Sequence, residues 1–127
     1  MDRTEHDPRT AETLAAVERF NEAFNRHDVE GVMAAMTGDC VFENTSPFPD
    51  GTRFEGQAAV RGFWERFFQN SPTATFDAED VFATGDRCTV RWIYRKTKDG
   101  QPWHIRGVDV FLVRDGKVAE KHSYVKG

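Results

Sequence analysis

Residues 103–125 read WHIRGVDVFLVRDGKVAEKHSYV and contain two runs of alternating side chains joined by Asp115-Gly116. Alternation with a period of two is typical of β-strands, and Asp-Gly is favoured in two-residue hairpin turns. The stretch therefore predicts an antiparallel hairpin of strands Trp103–Arg114 and Lys117–Val125. Two earlier runs, which end in Gly85-Asp86 and Asp99-Gly100, predict the strands Thr73–Thr84 and Arg87–Thr97. The second half of the chain is thus predicted to be a four-stranded antiparallel meander.

The first half of the chain has helical periodicity instead. Apolar residues at three- and four-residue spacing predict a helix over Thr10–Arg26, and a wide aromatic face predicts another over Gln57–Gln69. Asp28 is the expected N-cap of a short helix between them, with Met36 in its buried stripe and Gly38 as its terminator. The remaining segments are a predicted strand, Cys40–Thr45, and a loop, Ser46–Gly51. Helices segregated from an antiparallel sheet define the α+β class.

The size and charge of the chain restrict its class. A length of 127 residues favours a single domain over 1–127, with residues 1–9 as a flexible N-terminal tail. The net charge of −4 and the absence of Lys or Arg runs argue against nucleic-acid and anionic-membrane partners. No segment is apolar enough for a signal peptide or a membrane span. Cys40 and Cys88 form no CxxC pair, which favours reduced, buried thiols and a cytoplasmic location.

Several motifs resemble those of the nuclear-transport-factor-2-like superfamily and its SnoaL-like members. They occur in the family's order: FNRHDVEGV at 24–32, CVFEN at 40–44, FEG at 54–56, RGVDVF at 106–111 and VRDGKV at 113–118. The resemblance implies a cone-shaped roll of curved antiparallel sheet, with about three helices closing a small-molecule pocket. It also implies a homodimer through the convex sheet face. Family members include ketosteroid isomerase, SnoaL-type polyketide cyclases, scytalone dehydratase, limonene epoxide hydrolase and non-catalytic binders.

Asp109 is the candidate catalytic residue. Strand parity places it on one face with Trp103, Ile105, Gly107 and Phe111, where it is a lone carboxylate. An unpaired carboxylate on an apolar face is costly to bury, and a raised pKa is the usual response, which suits acid–base chemistry. The alternative is a structural pairing of Asp109 with a nearby Arg or His. By resemblance, Asp109 matches the oxyanion-stabilising aspartic acid of ketosteroid isomerase.

Other catalytic positions of the relatives are substituted in this chain. Asn44 matches the proton-shuttling aspartate of ketosteroid isomerase, and an amide can only orient a ligand by hydrogen bonds. Phe20 matches that enzyme's phenolic donor but has no hydroxyl. The Arg/Asp/Asp set of limonene epoxide hydrolase falls near Arg87, Thr89 and Ser123, which leaves neither carboxylate. Both activities are therefore disfavoured.

The remaining candidates are aromatic side chains and one histidine. We expect Asn44 and Tyr94 to orient the ligand, and the aromatic walls of the pocket to come from Phe20, Phe42, Trp64 and Trp92. Ordinary core packing is the alternative for both tryptophans. His122 is a candidate dyad partner of Asp109, whereas His104 and Arg106 have the opposite parity and are expected on the convex face.

These residues support three hypotheses. The first is a small-molecule-binding, cofactor-independent acid–base enzyme, an isomerase, cyclase or dehydratase/hydratase acting on a mostly apolar substrate. The second is a non-catalytic ligand-binding module, and the third is an assembly domain that uses the convex stripe Val108, Val110 and Leu112, where we expect a homodimer. The four histidines are scattered, so no metal site is expected, and no phosphate loop indicates a nucleotide cofactor.

Overall fold

Three helices pack against one face of a six-stranded sheet in the computed structural model, which describes residues 7–127. The helices are α1 (Pro8–Asn25), α2 (Val29–Ala34) and α3 (Gln57–Asn70). The strands are β1 (Met36–Glu43), β2 (Arg53–Glu55), β3 (Thr75–Thr84), β4 (Arg87–Lys98), β5 (Gln101–Arg114) and β6 (Lys117–Val125). Their order in the sheet is β2-β1-β6-β5-β4-β3. Neighbours are antiparallel except β1 and β6, which are parallel. The predicted α+β class is confirmed.

Helix α1 begins two residues earlier than predicted. The Asp7 carboxylate caps it by accepting a 2.8 Å hydrogen bond from the backbone N–H of Thr10, and Pro8 occupies the first turn. Of the predicted tail, Asp7 is therefore the helix cap and Pro8 and Arg9 are helical, whereas residues 1–6 lie outside the described residues. At the other end, the Asn25 amide pairs with the backbone of Phe76 through two 2.9 Å hydrogen bonds. These bonds fix α1 against the edge strand β3.

Helix α2 is shorter than predicted. Asp28 caps it as expected, by accepting a 3.0 Å hydrogen bond from the N–H of Gly31. The helix ends at Ala34 with Ala35 as its C-cap, and Met36 begins β1, so the prediction of Gly38 as terminator is wrong. The Gln57 side chain donates to main-chain carbonyls at this end, which include that of Met36 at 3.3 Å. These hydrogen bonds join the first residue of α3 to the connection between α2 and β1.

The segment after β1 contains a strand that periodicity did not predict. Arg53–Glu55 pairs with Val41–Glu43 as β2, at the edge of the sheet. The preceding loop folds around the Asn44 side chain, whose Oδ1 accepts hydrogen bonds from the N–H groups of Thr52 at 2.7 Å and Ser46 at 3.3 Å. Three residues are too few for an alternating pattern to be visible in the sequence.

The four-stranded meander is confirmed. Asp115 and Gly116 have φ angles of 54° and 73°, the left-handed conformation that a two-residue hairpin turn requires. The helix-facing side of the sheet packs a continuous aromatic core against α1 and α3. Cys40 and Cys88 are buried there as free thiols, and burial raises the pKa of Cys88 to about 11. No helix within residues 7–127 is long and apolar enough to cross a bilayer.

Candidate functional site

Asp109 lies in the middle of β5 on the side that faces the helices, and only 5% of it is exposed. Backbone pairing places it between Val90 of β4 and Ser123 of β6. The sheet therefore fixes the carboxylate on both sides at the centre of the core face.

A buried lysine accompanies this carboxylate. Lys121 of β6 is also 5% exposed, and its Nζ lies 3.3 Å from Asp109 Oδ2. The Ser123 hydroxyl donates to Asp109 Oδ1 at 2.7 Å and accepts from Lys121 Nζ at 2.8 Å. The expectation that Asp109 is a lone carboxylate is thus wrong, because the adjacent strand supplies a cation and a hydroxyl. We call Asp109, Lys121 and Ser123 the polar cluster.

Aromatic rings surround the ammonium group of Lys121. Its Nζ lies 4.7 Å from the ring centroid of Phe42, 5.6 Å from that of Trp64 and 6.0 Å from that of Phe20. The ring faces attract a cation, but they replace its hydration only in part. Burial therefore lowers the pKa of Lys121, although the charge and hydrogen bond of Asp109 act in the opposite direction.

The polar cluster borders a cavity of about 440 Å³ between α1 and strands β3 to β6. Asp109 and Lys121 line it together with a mostly apolar wall, which consists of Leu14, Val17, Phe20, Phe24, Phe76, Ala78, Val81, Val90 and Trp92. The exposed members of the lining include Glu18, Glu22 and Asn25 of α1 and Val81 of β3. The cavity therefore opens between α1 and the edge strand, and its volume is that of a small-molecule pocket.

Trp92 adds a second polar feature to the cavity wall. It is 3% exposed, and its indole Nε1 has no hydrogen-bond partner within residues 7–127. The ring lies against Gly107, where a Cβ would come within 2.5 Å of it. A buried N–H donor is usually paired, so Trp92 is a candidate donor to a ligand oxygen.

Residues 17–121 match the family model of the SnoaL-like domain. This chain belongs to the SnoaL-like family. An NTF2-like protein of unknown function from Mesorhizobium loti is 36% identical, with a TM-score of 0.82 over 97% of this chain and 98% of that one. No curated protein matches the sequence significantly.

Two solved structures from Mycobacterium tuberculosis share the SnoaL-like fold at lower identity. One is a protein in complex with estradiol-17β-hemisuccinate, 24% identical with a TM-score of 0.76 over 89% of this chain and 92% of that one. The other is an LEH-like epoxide hydrolase, also 24% identical with a TM-score of 0.76, over 94% of this chain and 86% of that one. At this identity the likeness concerns the fold alone.

The predicted site residues other than His122 fall into three groups. Asp109, Phe20 and Trp92 line the cavity, and Phe42 and Trp64 contact Lys121 behind it. Asn44 and Tyr94 do not line it. Asn44 holds the loop before β2 and borders a second cavity of about 430 Å³ with Ser123, while the Tyr94 ring stacks on Phe76 at 4.8 Å. Burial raises the pKa of Tyr94.

His122 faces the opposite side of the sheet, so the predicted dyad with Asp109 is wrong. It pairs across the sheet with Val110, and its ring nitrogens contact carboxylates of Glu43 at 2.6 Å and Glu120 at 2.8 Å. Burial lowers the pKa of His122, but the hydrogen bonds and charges of the two carboxylates outweigh it and raise the pKa overall. His122 is an ion-pairing residue of the convex face in this SnoaL-like chain.

We expect His122→Gln to lower the free energy of unfolding by about 1 kcal/mol or less at about pH 6, because the carboxylates that pair with His122 are partly exposed. The raised pKa makes this stabilisation fully present below the unfolded value of ~6.5, and it is lost as pH rises through the folded pKa. Glu43, whose pKa is lowered chiefly by its hydrogen bond to His122, contributes above its unfolded value of ~4.3. Urea unfolding of wild type and His122→Gln at about pH 6 and about pH 9 measures how this stabilisation depends on pH. If wild type and His122→Gln differ as much in unfolding free energy at the higher pH as at the lower one, the prediction is contradicted.

The polar cluster contains two residues that the sequence analysis did not assign to the site. Lys121 and Ser123 share strand parity, but parity within β6 does not tell which face of that strand meets Asp109. Within residues 7–127, no group of three or more His, Cys, Asp or Glu side chains is arranged to hold a metal ion. Asp109 and Lys121 form a buried ion pair on the wall of the cavity between α1 and β3.

Proposed function

We propose that this SnoaL-like chain binds a small, mostly apolar organic molecule between α1 and β3 and moves a proton on it without a cofactor. The observation that supports the proposal is a buried carboxylate and a buried amine, 3.3 Å apart, on the wall of an apolar cavity of about 440 Å³. Asp109 is the proposed proton acceptor and donor. The reaction classes that fit are isomerisation, cyclisation and dehydration or hydration.

The two side chains suit different parts of such a reaction. Removing a proton next to a carbonyl leaves negative charge on the oxygen, and a cation held in an apolar site stabilises that charge strongly. Lys121 supplies the cation when it is protonated, while Asp109 takes the proton. Trp92 offers a further N–H donor on the same wall. Neither a metal ion nor a nucleotide is needed for this step.

A non-catalytic binding module is the second candidate. Lys121 and Ser123 already satisfy both oxygens of Asp109, which is the arrangement expected of a fixed recognition site. The M. tuberculosis structure with estradiol-17β-hemisuccinate supports small-molecule binding by this fold but does not distinguish a binder from an enzyme. The homodimer through the convex face and the cytoplasmic location remain predictions.

Asp109→Asn is expected to reduce turnover of a base-labile probe by about a hundredfold or more, because general-base catalysis contributes ~10²–10⁴. Nitrobenzisoxazole suits the test, since removal of one carbon-bound proton opens its ring to a coloured phenolate. Initial rates are compared with those of Asp77→Asn, which removes a carboxylate from the exposed face of β3. Binding is followed separately with the neutral fluorophore N-phenylnaphthylamine, and circular dichroism checks the fold.

The two candidate functions give different results in this experiment. An enzyme loses turnover in Asp109→Asn while its affinity for the fluorophore stays within a few-fold of wild type. Equal rates in wild type and Asp109→Asn, or no rate above buffer in either, together with retained fluorophore binding, would favour the binding module.

A further inference from the structure

We propose that Lys121 forms an imine with an aldehyde or ketone group of a ligand in the cavity between α1 and β3. This inference goes beyond proton transfer, because it makes Lys121 a nucleophile that holds the ligand covalently. Imine formation requires an amine at the cavity, surroundings that disfavour its charged form and a neighbouring group that donates a proton. The described residues supply all three.

Access comes first. Lys121 is among the residues that line the cavity, although 5% of it is exposed to bulk solvent. Its side chain therefore lies on the wall of the cavity rather than on the protein surface. The cavity volume of about 440 Å³ accommodates an aromatic or short aliphatic carbonyl compound.

The apolar surroundings disfavour the charged form of the amine. A solvated lysine is protonated at neutral pH and has no free electron pair, whereas desolvation in an apolar pocket releases the proton. The nearest rings belong to Phe42, Trp64 and Phe20, at 4.7, 5.6 and 6.0 Å from Nζ. Burial is the largest influence on the pKa of Lys121 and lowers it, in spite of the opposing carboxylate. Lysines that form Schiff bases have environments of this kind.

Asp109 balances the protons of the reaction. In the neutral form of the pair, the proton resides on Asp109 and the electron pair on Lys121 Nζ, 3.3 Å away. The nitrogen forms a bond to the carbonyl carbon, and one of its protons moves to the oxygen to give a carbinolamine. Asp109 then donates its proton to that hydroxyl, the carbon–oxygen bond breaks and water leaves. The products are a protonated imine and the Asp109 carboxylate, which remain paired.

The cavity also restricts the class of carbonyl compound. Its lining is mostly apolar, and its exposed charged members within residues 7–127 are Glu18 and Glu22, which repel anionic ligands. Trp92, with its unpartnered indole N–H, is available for an oxygen elsewhere on the ligand. The structure therefore favours an uncharged, largely apolar aldehyde or ketone over a keto acid or a sugar phosphate.

Trapping with benzaldehyde and sodium cyanoborohydride at neutral pH tests the proposal, because hydride reduction converts an imine into a stable secondary amine. Peptide mass spectrometry locates the added benzyl group. We expect Lys121 to be the most heavily modified lysine, ahead of the exposed Lys98, Lys117 and Lys126, because a lowered pKa leaves more of its amine neutral. These three lysines are the internal controls in the same sample.

Lys121→Arg retains the positive charge but cannot form an imine, so it is expected to lose the fast modification and keep the slow surface modification. Acetylacetone gives a second readout without reduction, as an active lysine converts it to an enaminone with a new near-ultraviolet band. Preferential modification of exposed lysines in the folded wild type, with Lys121 unmodified, overturns the proposal. That result leaves Asp109-dependent turnover of nitrobenzisoxazole untouched, so the two proposals fail separately.

Discussion

Lys121→Met is expected to lower the free energy of unfolding by about 3–5 kcal/mol, the cost of removing one partner of a buried ion pair. The methionine fits among the rings of Phe42 and Trp64, so lost packing is a small part of this cost. The larger part arises at Asp109, which stays 5% exposed with only the Ser123 hydroxyl as a side-chain partner. A carboxylate in that position must either stay charged without a counter-ion or take up a proton.

A double-mutant cycle separates charge from packing in this prediction. Asp109→Leu together with Lys121→Met removes both charges, and apolar replacement of a whole buried pair is often close to neutral. We therefore expect the double variant to recover more than half of the loss in Lys121→Met, measured by urea unfolding. Lys117→Met, at the exposed start of the same strand, is the control and should change stability by about 0.5 kcal/mol or less. Additive losses in the double variant would contradict the ion-pair explanation.

The element order could be predicted because each long element carries a strong local signal. Alternation and turn dipeptides gave the bounds of β6 without error and those of β3, β4 and β5 to within about two residues, and helical spacing gave α1 and α3 with similar accuracy. The segment between α2 and β1 was misassigned because Met36 fits a helical stripe and Gly38 resembles a helix stop. Tertiary pairing of Met36 with Val118 of β6 outweighs both preferences.

The polar cluster could not be predicted, because it depends on one register shift. A regular two-residue turn at Asp115-Gly116 would place His122 opposite Asp109. The structure instead pairs Val113 with Val118 and Leu112 with Glu120, which leaves Ala119 as an extra residue. This bulge moves every later residue of β6 by one position and therefore exchanges the two faces of the strand.

The consequence of the bulge is that Lys121 and Ser123 face the core and His122 faces outward. Strand parity within β5 was sufficient to place Asp109, since it needs no pairing information. Parity between strands requires the register, and the sequence contains no strong signal for a bulge at Ala119. The convergence of Phe20, Phe42 and Trp64 on Lys121 was hidden for the same reason, because it joins three separate elements to β6.

Gly107→Ala is the second substitution with a large expected effect, a loss of about 3 kcal/mol or more in the free energy of unfolding. A Cβ at this position would lie 2.2 Å from the carbonyl oxygen of Tyr124 and 2.5 Å from the ring of Trp92. The first contact is with the backbone of β6, which cannot move without breaking the ladder that holds Ser123 against Asp109. The second is with a ring that is 3% exposed and packed edge-to-face against Phe76.

Gly38→Ala is the matched control for this substitution, because Gly38 also lies in a strand but a Cβ there would meet no atom within 4 Å. Alanine lowers the conformational entropy of the unfolded chain relative to glycine. We therefore expect that variant to be as stable as wild type or more stable by up to ~1 kcal/mol. Urea unfolding compares the two variants, and the fluorescence of N-phenylnaphthylamine shows whether a displaced Trp92 ring changes the cavity. A stable Gly107→Ala with normal probe binding would mean that β5 and Trp92 do not approach as closely as described. In that case the strand would have room for a side chain, and the cavity wall beside the polar cluster would be looser than the packing of Trp92 on Gly107 implies.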